Sequence, residues 1–296
     1  MHKLSVDAVF DEYERIRDRL VAARFPSASR RATGLIDVAD DFDAFVFDSY
    51  GVLNIGERAI AGAAACIKQL RAMGKPVIVL TNAASYPLEV AMARYQRFGF
   101  DFTAQEVVSS RAVAITHMAE MAGPIVAICE TIDTLADFGN NVIRWDATDV
   151  DNAAGFLLMS RTALTPDTLA QLEEALRRHP RPVYVANPDL VAPREDGIYP
   201  EPGLAVHRLI DTLGIAPQFY GKPFGNAFDA ALARLPDIAP ARILMVGDTL
   251  HTDILGGAAA GLRTALVTDH GIMAGHDTAP FIARSGIVPD VIVPSI

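Results

Sequence analysis

Two short apolar runs, each ending in a carboxylate, constrain this chain more than any other feature. Phe45-Val46-Phe47 runs into Asp48, and Ile243-Leu244-Met245-Val246 runs through Gly247 into Asp248, with Asp253 following closely. Continuous apolar runs this short, without alternation, read as strands covered on both faces. The same pattern recurs along the chain. Strands are expected at Ala44–Phe47, Val77–Leu80, Glu106–Ser109, Ile125–Ile128, Gly155–Met159, Val183–Ala186, Gln218–Tyr220, Arg242–Val246, Thr264–Val267 and Asp290–Val293. Between most of them lie amphipathic segments that read as helices: Ala61–Met73, Pro87–Phe98, Pro166–Arg178, Gly203–Leu213 and Asn226–Leu235. Strands alternating with helices predict an α/β fold built on a parallel sheet. Carboxylates delivered at the C-terminal ends of such strands collect along one edge, which is where open parallel sheets bind ligands.

The two acidic strands must be neighbours if they share a site. Residues 123–216 carry strands and helices of their own and neither acidic strand end, which predicts an inserted second domain. Residues 1–122 and 217–296 then fold together as the core. Within 1–41, an N-terminal helical extension, apolar Val6, Val9, Phe10, Tyr13, Ile16 and Leu20 recur at helical spacing, so Val6–Leu20 reads as a helix packed on the main body. The loop that follows carries Arg30-Arg31, read as solvated surface.

Composition excludes several classes of function. A formal charge of −10 lacks the basic density of a nucleic-acid surface. Cys66 and Cys129 fall in apolar segments and suit buried thiols in a reducing compartment, and no Cys/His cluster suggests zinc. Met1–Leu20 is too charged for a signal peptide, and no uncharged apolar stretch reaches the roughly 18 residues of a membrane span. The chain reads as cytoplasmic, with no nucleic-acid or membrane partner.

Phosphoryl transfer through an aspartyl intermediate needs an attacking carboxylate, a cation, donors for the phosphate oxygens and an acid for the leaving oxygen. Asp48 fits the nucleophile. Asp248 and Asp253, at a strand end and the start of the next helix, fit a metal ligand and its support for Mg²⁺, which takes only one or two protein carboxylates. Thr81 and Asn82 end another strand and bring a hydroxyl and backbone amides to the same edge. Lys222, in Tyr220-Gly221-Lys222-Pro223, adds a fixed positive charge. Singly, each is more often a turn former or a helix cap. Their shared placement at strand ends, in the order the chemistry requires, makes them a set.

That set resembles the haloacid-dehalogenase-like phosphohydrolases, specifically class IIA, which holds nitrophenyl-phosphatase-like and pyridoxal-phosphate-phosphatase-like enzymes. The resemblance covers roughly Phe42 to Ile296 and rests on DSYGVLNIG at 48–56, GKPVIVLTNAAS at 74–85, YGKP at 220–223 and VGDTLHTDILGG at 246–257. It implies a Rossmann-like core with an inserted α/β cap domain. It implies Asp48 as nucleophile, Thr81 and Lys222 on the phosphate, and Mg²⁺ on Asp48, Asp248 and the backbone carbonyl of Tyr50. Asn187 and Asp189, in Ala186-Asn187-Pro188-Asp189, resemble a cap loop that contacts substrate. Caps of this class often support dimers, which makes a homodimer an expectation here.

The departure from the family pattern is Tyr50. The residue two after the nucleophile is normally an Asp that protonates the leaving group and then activates water. A phenol with an ordinary pKa near 10 is a poor base at neutral pH. The leading reading is a Mg²⁺-dependent phosphatase of a small phosphorylated metabolite, with Tyr50 or another group as the acid. A phosphate-ligand binding or regulatory protein and a phosphotransferase are the alternatives, since both need the same phosphate cradle. Downstream, Arg194, Glu195, Asp196 and Tyr199 read as a turn near the cap loop, and His207 and His251 as structural helix-face histidines.

Overall fold

Parallel strand pairing places the two acidic strand ends side by side. In the computed structural model, which describes residues 3–119, 121, 123–130, 135–139, 141–145 and 150–296, a seven-stranded sheet runs in the order Arg30–Arg31, Val291–Val293, Arg263–Val267, Ile243–Gly247, Ala44–Phe47, Val77–Thr81 and Val107–Ser109. Every pair in it is parallel. Ile243–Gly247 lies directly against Ala44–Phe47, with Val246 opposite Phe47, and Val77–Thr81 flanks the other side with Val79 opposite Phe47. The residues that follow these three central strands therefore share one edge. All four residues of Ala44–Phe47 and all five of Ile243–Gly247 are buried, as continuous apolar runs require.

A second, five-stranded parallel sheet runs Gln218–Phe219, Val183–Val185, Gly155–Leu158, Ile125–Ile128 and Val142–Arg144. Its strands come from the stretch read as the insertion, with one exception. Gln218–Phe219, placed by the sequence reading at the start of the returning core segment, pairs with Val183–Val185 in this smaller sheet. A two-residue edge strand carries no pattern that says which sheet it joins. The chain thus re-enters the core through Tyr220-Gly221-Lys222. Helices Pro166–Arg178 and Pro202–Leu213 cover the smaller sheet and bury Leu172, Leu176, Val206 and Leu209 against it.

The N-terminal helix runs Val6–Arg15 and is followed by a 3₁₀ turn, Arg17–Arg19, rather than continuing to Leu20. Ser5 caps it by accepting from the amide of Ala8 at 3.2 Å. Its apolar face touches both parts of the molecule: Tyr13 stacks on His251, and its hydroxyl accepts from the amide of Leu190 at 3.4 Å. Arg15 and Arg19 meanwhile reach Asp211 on helix Pro202–Leu213. Arg30–Arg31, read from sequence as a loop, is instead an edge strand on Val291–Val293. Its side chains are exposed, so backbone pairing left no apolar signal. Likewise Arg194–Tyr199 is more than a turn: Val191–Arg194 and Gly197–Pro200 form a β-hairpin. Among the described residues no helix is long and apolar enough to cross a membrane.

Candidate active site

At the shared strand edge, Asp48 ends its strand with only 9% of its surface exposed, and its amide donates to the carbonyl of Val246 at 2.9 Å. The ammonium of Lys222 lies 2.6 Å from Asp48 Oδ1 and 2.7 Å from Asp253 Oδ1. Asp253 Oδ2 accepts from the amide of Thr249 at 3.1 Å, so both of its oxygens are engaged. Asp248 accepts from the Thr249 hydroxyl on Oδ1 (3.0 Å) and from the Ile272 amide on Oδ2 (2.8 Å). Two glycines make room for it. A Cβ on Gly271 would lie 1.9 Å from Asp248 Oδ2, and one on Gly51 2.6 Å from its Cγ. Both glycines also hold positive φ, +76° and +87°, which side chains disfavour.

Ligand atoms of Asp48, Asp248 and Asp253 lie within 4.8 Å of one another. Burial raises the Asp48 carboxyl to about 7, against the pull of Lys222, while Asp253 reinforces the rise. Burial and the neighbouring carboxylates push Asp248 well above its ordinary value too. Lys222 is held well above the ordinary range of an ammonium by Asp253, Asp48 and Asp189, against the effect of burial. Three buried carboxylates against one ammonium leave a surplus of negative charge. Such an all-oxygen set fits a hard divalent cation. Asp248 is the one of the three not paired with Lys222, its oxygens carrying only the neutral donors of Thr249 and Ile272. Asp48 meets Lys222 through Oδ1 alone, whereas Asp253 is held by Lys222 on one oxygen and by the Thr249 amide on the other.

The turn after Val77–Thr81 completes the edge. Thr81, 4% exposed, accepts from the amide of Ala83 at 3.2 Å. Asn82 ties three segments together. Its Oδ1 accepts from the Lys222 amide at 2.7 Å, and its Nδ2 donates to the Lys222 carbonyl (2.9 Å) and to Asp189 Oδ1 (2.8 Å). Asn187 donates to Glu201 Oε2 at 3.1 Å and accepts from the amide of Asp189 at 3.1 Å. A cavity of about 230 Å³ opens above this edge, with Asp48, Thr81 and Asp248 on its floor and Asn187, Asp189 and Arg194 facing them from the smaller sheet's loops.

Tyr50 also lines that cavity. Its hydroxyl accepts from Arg94 Nη1 at 2.6 Å, and the guanidinium lies 4.9 Å from the ring centroid. Asp48, Tyr50, Thr81, Asn82, Asn187, Asp189 and Asp248 thus line one cavity, with Lys222 and Asp253 buried against Asp48, while Glu195, Asp196 and Tyr199 do not line it. The sequence reading missed Arg94, Arg161 and Glu201. Arg94 looks like an ordinary helix-face charge and Glu201 like a helix cap. Only the fold brings Arg194 to 3.2 Å and Arg161 to 3.9 Å from Glu201 Oε1. His207 and His251 lie away from the cavity. His251 pairs with Glu14 at 2.6 Å, and His207 stacks on Phe219.

A Rossmann-like parallel sheet with acidic strand ends, joined to an α/β cap that roofs them, defines a class of hydrolase. Residues 45–138 match the model of the haloacid dehalogenase-like hydrolases, and residues 219–295 match a second model of the same superfamily. Glycerol-3-phosphate phosphatase of Gallus gallus is 30% identical over 288 residues, covering 88% of this chain and 91% of its own. A possible sugar phosphatase from Cytophaga hutchinsonii superposes with a TM-score of 0.79 at 27% identity, over 90% of this chain and 98% of its own. Glycerol phosphate phosphatase from Mycobacterium tuberculosis, solved with magnesium, gives 0.67 at 25% identity, over 86% and 75%. The chain belongs to the haloacid dehalogenase-like hydrolases, in the class IIA branch of nitrophenyl- and sugar-phosphatase-like phosphoric monoester hydrolases.

Proposed function

We propose that this protein is a Mg²⁺-dependent phosphatase of a small phosphorylated metabolite, working through an aspartyl phosphate on Asp48. The observation that carries the reading is the Asp48–Lys222–Asp253 chain beside Asp248, buried at one sheet edge and open to a 230 Å³ cavity. Asp48 Oδ attacks phosphorus and the bond to the leaving oxygen breaks. Lys222 and the Thr81 hydroxyl hold phosphate oxygens, and water then releases inorganic phosphate and regenerates Asp48. Asp48 and Asp248, with a backbone carbonyl such as that of Tyr50, would hold Mg²⁺. When bound, the cation keeps both carboxylates ionised and neutralises phosphate charge. The cavity is small, which suits a compact leaving group such as a polyol or sugar, in keeping with the names of the relatives. We place the core at residues 1–122 and 220–296 and the cap between them.

Phosphate release from a panel of small phosphate monoesters, with Mg²⁺ and with EDTA, tests this. Release that needs Mg²⁺ and vanishes in Asp48→Asn is expected. Equal release by Asp48→Asn would refute the assignment.

A further inference from the structure

With Asp48 as nucleophile, in-line displacement puts the leaving oxygen on the far side of phosphorus, toward the loops of the smaller sheet. The acid must therefore come from the cavity wall facing Asp48. Among the described residues, the carboxyl groups on that wall are Glu130, Asp189 and Glu201. Glu130 accepts from the hydroxyls of Ser160 and Thr162. Glu201 has both oxygens engaged, Oε1 by Arg194 and Oε2 by Asn187. Asp189 differs from both. Asn82, next to Thr81, holds its Oδ1 at 2.8 Å, and the same side chain fixes the Lys222 backbone. Its Oδ2 makes no hydrogen bond to the described residues, and the side chain lines the same cavity as Asp48. On the core side, Glu57 is 66% exposed and paired with Arg94 and Arg97, and Tyr50 accepts from Arg94.

We propose that Asp189 is the general acid–base of this enzyme, doing from the cap what the family's carboxylate two residues after the nucleophile does from the core. As Asp48 Oδ bonds to phosphorus, the P–O bond to the leaving group breaks and the leaving oxygen takes the proton of Asp189 Oδ2. In the second half, water attacks the phosphorus of the aspartyl phosphate and gives its proton to the Asp189 carboxylate. Inorganic phosphate leaves and both carboxyl groups return to their starting states. Burial raises the Asp189 carboxyl to about 7, while Lys222 and the Asn82 bond pull it down, so it holds and returns a proton near neutral pH. The latch to Asn82 also makes the acid available only while the cap loop sits on the phosphate turn. The Tyr50 hydroxyl then serves to anchor Arg94.

Leaving-group dependence separates this role from a structural one. A general acid matters for an alkoxide, which leaves poorly, and little for p-nitrophenolate or acetate. Asp189→Asn should lower kcat/KM for glycerol phosphate by ~10²–10⁴. For p-nitrophenyl phosphate and acetyl phosphate the loss should stay within about tenfold, since proton help is hardly needed there. Asp189→Glu should restore part of the alkyl phosphate activity. Equal losses on all three substrates would overturn the assignment and make Asp189 a loop anchor. Should Asp189→Asn fail to fold, a series of aryl phosphates on the wild type decides. Rates that depend only weakly on leaving-group pKa are expected, and Tyr50→Phe should keep that weak dependence. A steep dependence in the wild type, or one that becomes steep in Tyr50→Phe, would refute the role. Loss of every substrate in Asp48→Asn, measured alongside, keeps the fate of the nucleophile separate.

Discussion

The floor and the roof of one cavity are built on different principles. The floor lies at the ends of three adjacent parallel strands, where Asp48, Thr81 and Asp248 are nearly inaccessible and every oxygen of Asp253 is spoken for. The roof is made of a loop and a β-hairpin, with Asp189 and Arg194 partly exposed and Glu201 as the buried anchor. Strands in a packed sheet have no room to adjust, so the floor holds a fixed charge geometry. Loops tolerate change, so in the proposed mechanism selectivity for the leaving group would reside where it can vary without disturbing the floor.

This contrast breaks first at the nucleophile. Asp48→Asn should lower turnover of every phosphate ester by about 10⁴-fold or more, the scale of removing a group that acts within a concerted set, as read by continuous phosphate detection. Next in size is Lys222→Met. Taking the ammonium from between Asp48 and Asp253 leaves two buried carboxylates uncompensated, a loss of about 3–5 kcal/mol that urea unfolding will show as a lower midpoint. Gly271→Ala sharpens the argument for a rigid floor. Its Cβ would fall 1.9 Å from Asp248 Oδ2 at a φ of +76°. The expected cost is about 1–3 kcal/mol of stability, together with weaker Mg²⁺ binding in calorimetry. On the roof the effect should be smaller and of another kind. Arg194→Ala should raise KM about tenfold, the size of one charge-assisted hydrogen bond, and leave kcat nearly unchanged in steady-state assays. A fall in kcat with constant KM would place Arg194 in the chemical step and dissolve the distinction between floor and roof.

The same contrast governs what the sequence disclosed. Asp48, Thr81 and Asp248 lie at the ends of apolar runs whose continuity announces buried parallel strands. The cap arginines carry no comparable signal. Arg161 and Arg194 look like solvated charges until the smaller sheet folds and turns both toward Glu201. Arg94 is equally silent, because a helix-face arginine gives no hint that a tyrosine will lie beneath it. Gln218–Phe219 joined the other sheet because edge pairing is a backbone event that side-chain pattern does not record. Asn82 was legible as a strand-end residue next to Thr81, but its hold on both Lys222 and Asp189 depends on three segments meeting.

The central claim is that phosphoryl transfer passes through Asp48. Rapid acid quench during turnover of acetyl phosphate, followed by peptide mass mapping, tests it most directly. A single phosphoryl group on the peptide that contains Asp48, absent in Asp48→Asn, is the predicted result. Steady turnover with no phosphoryl group on that peptide, or with one on another residue, would contradict it.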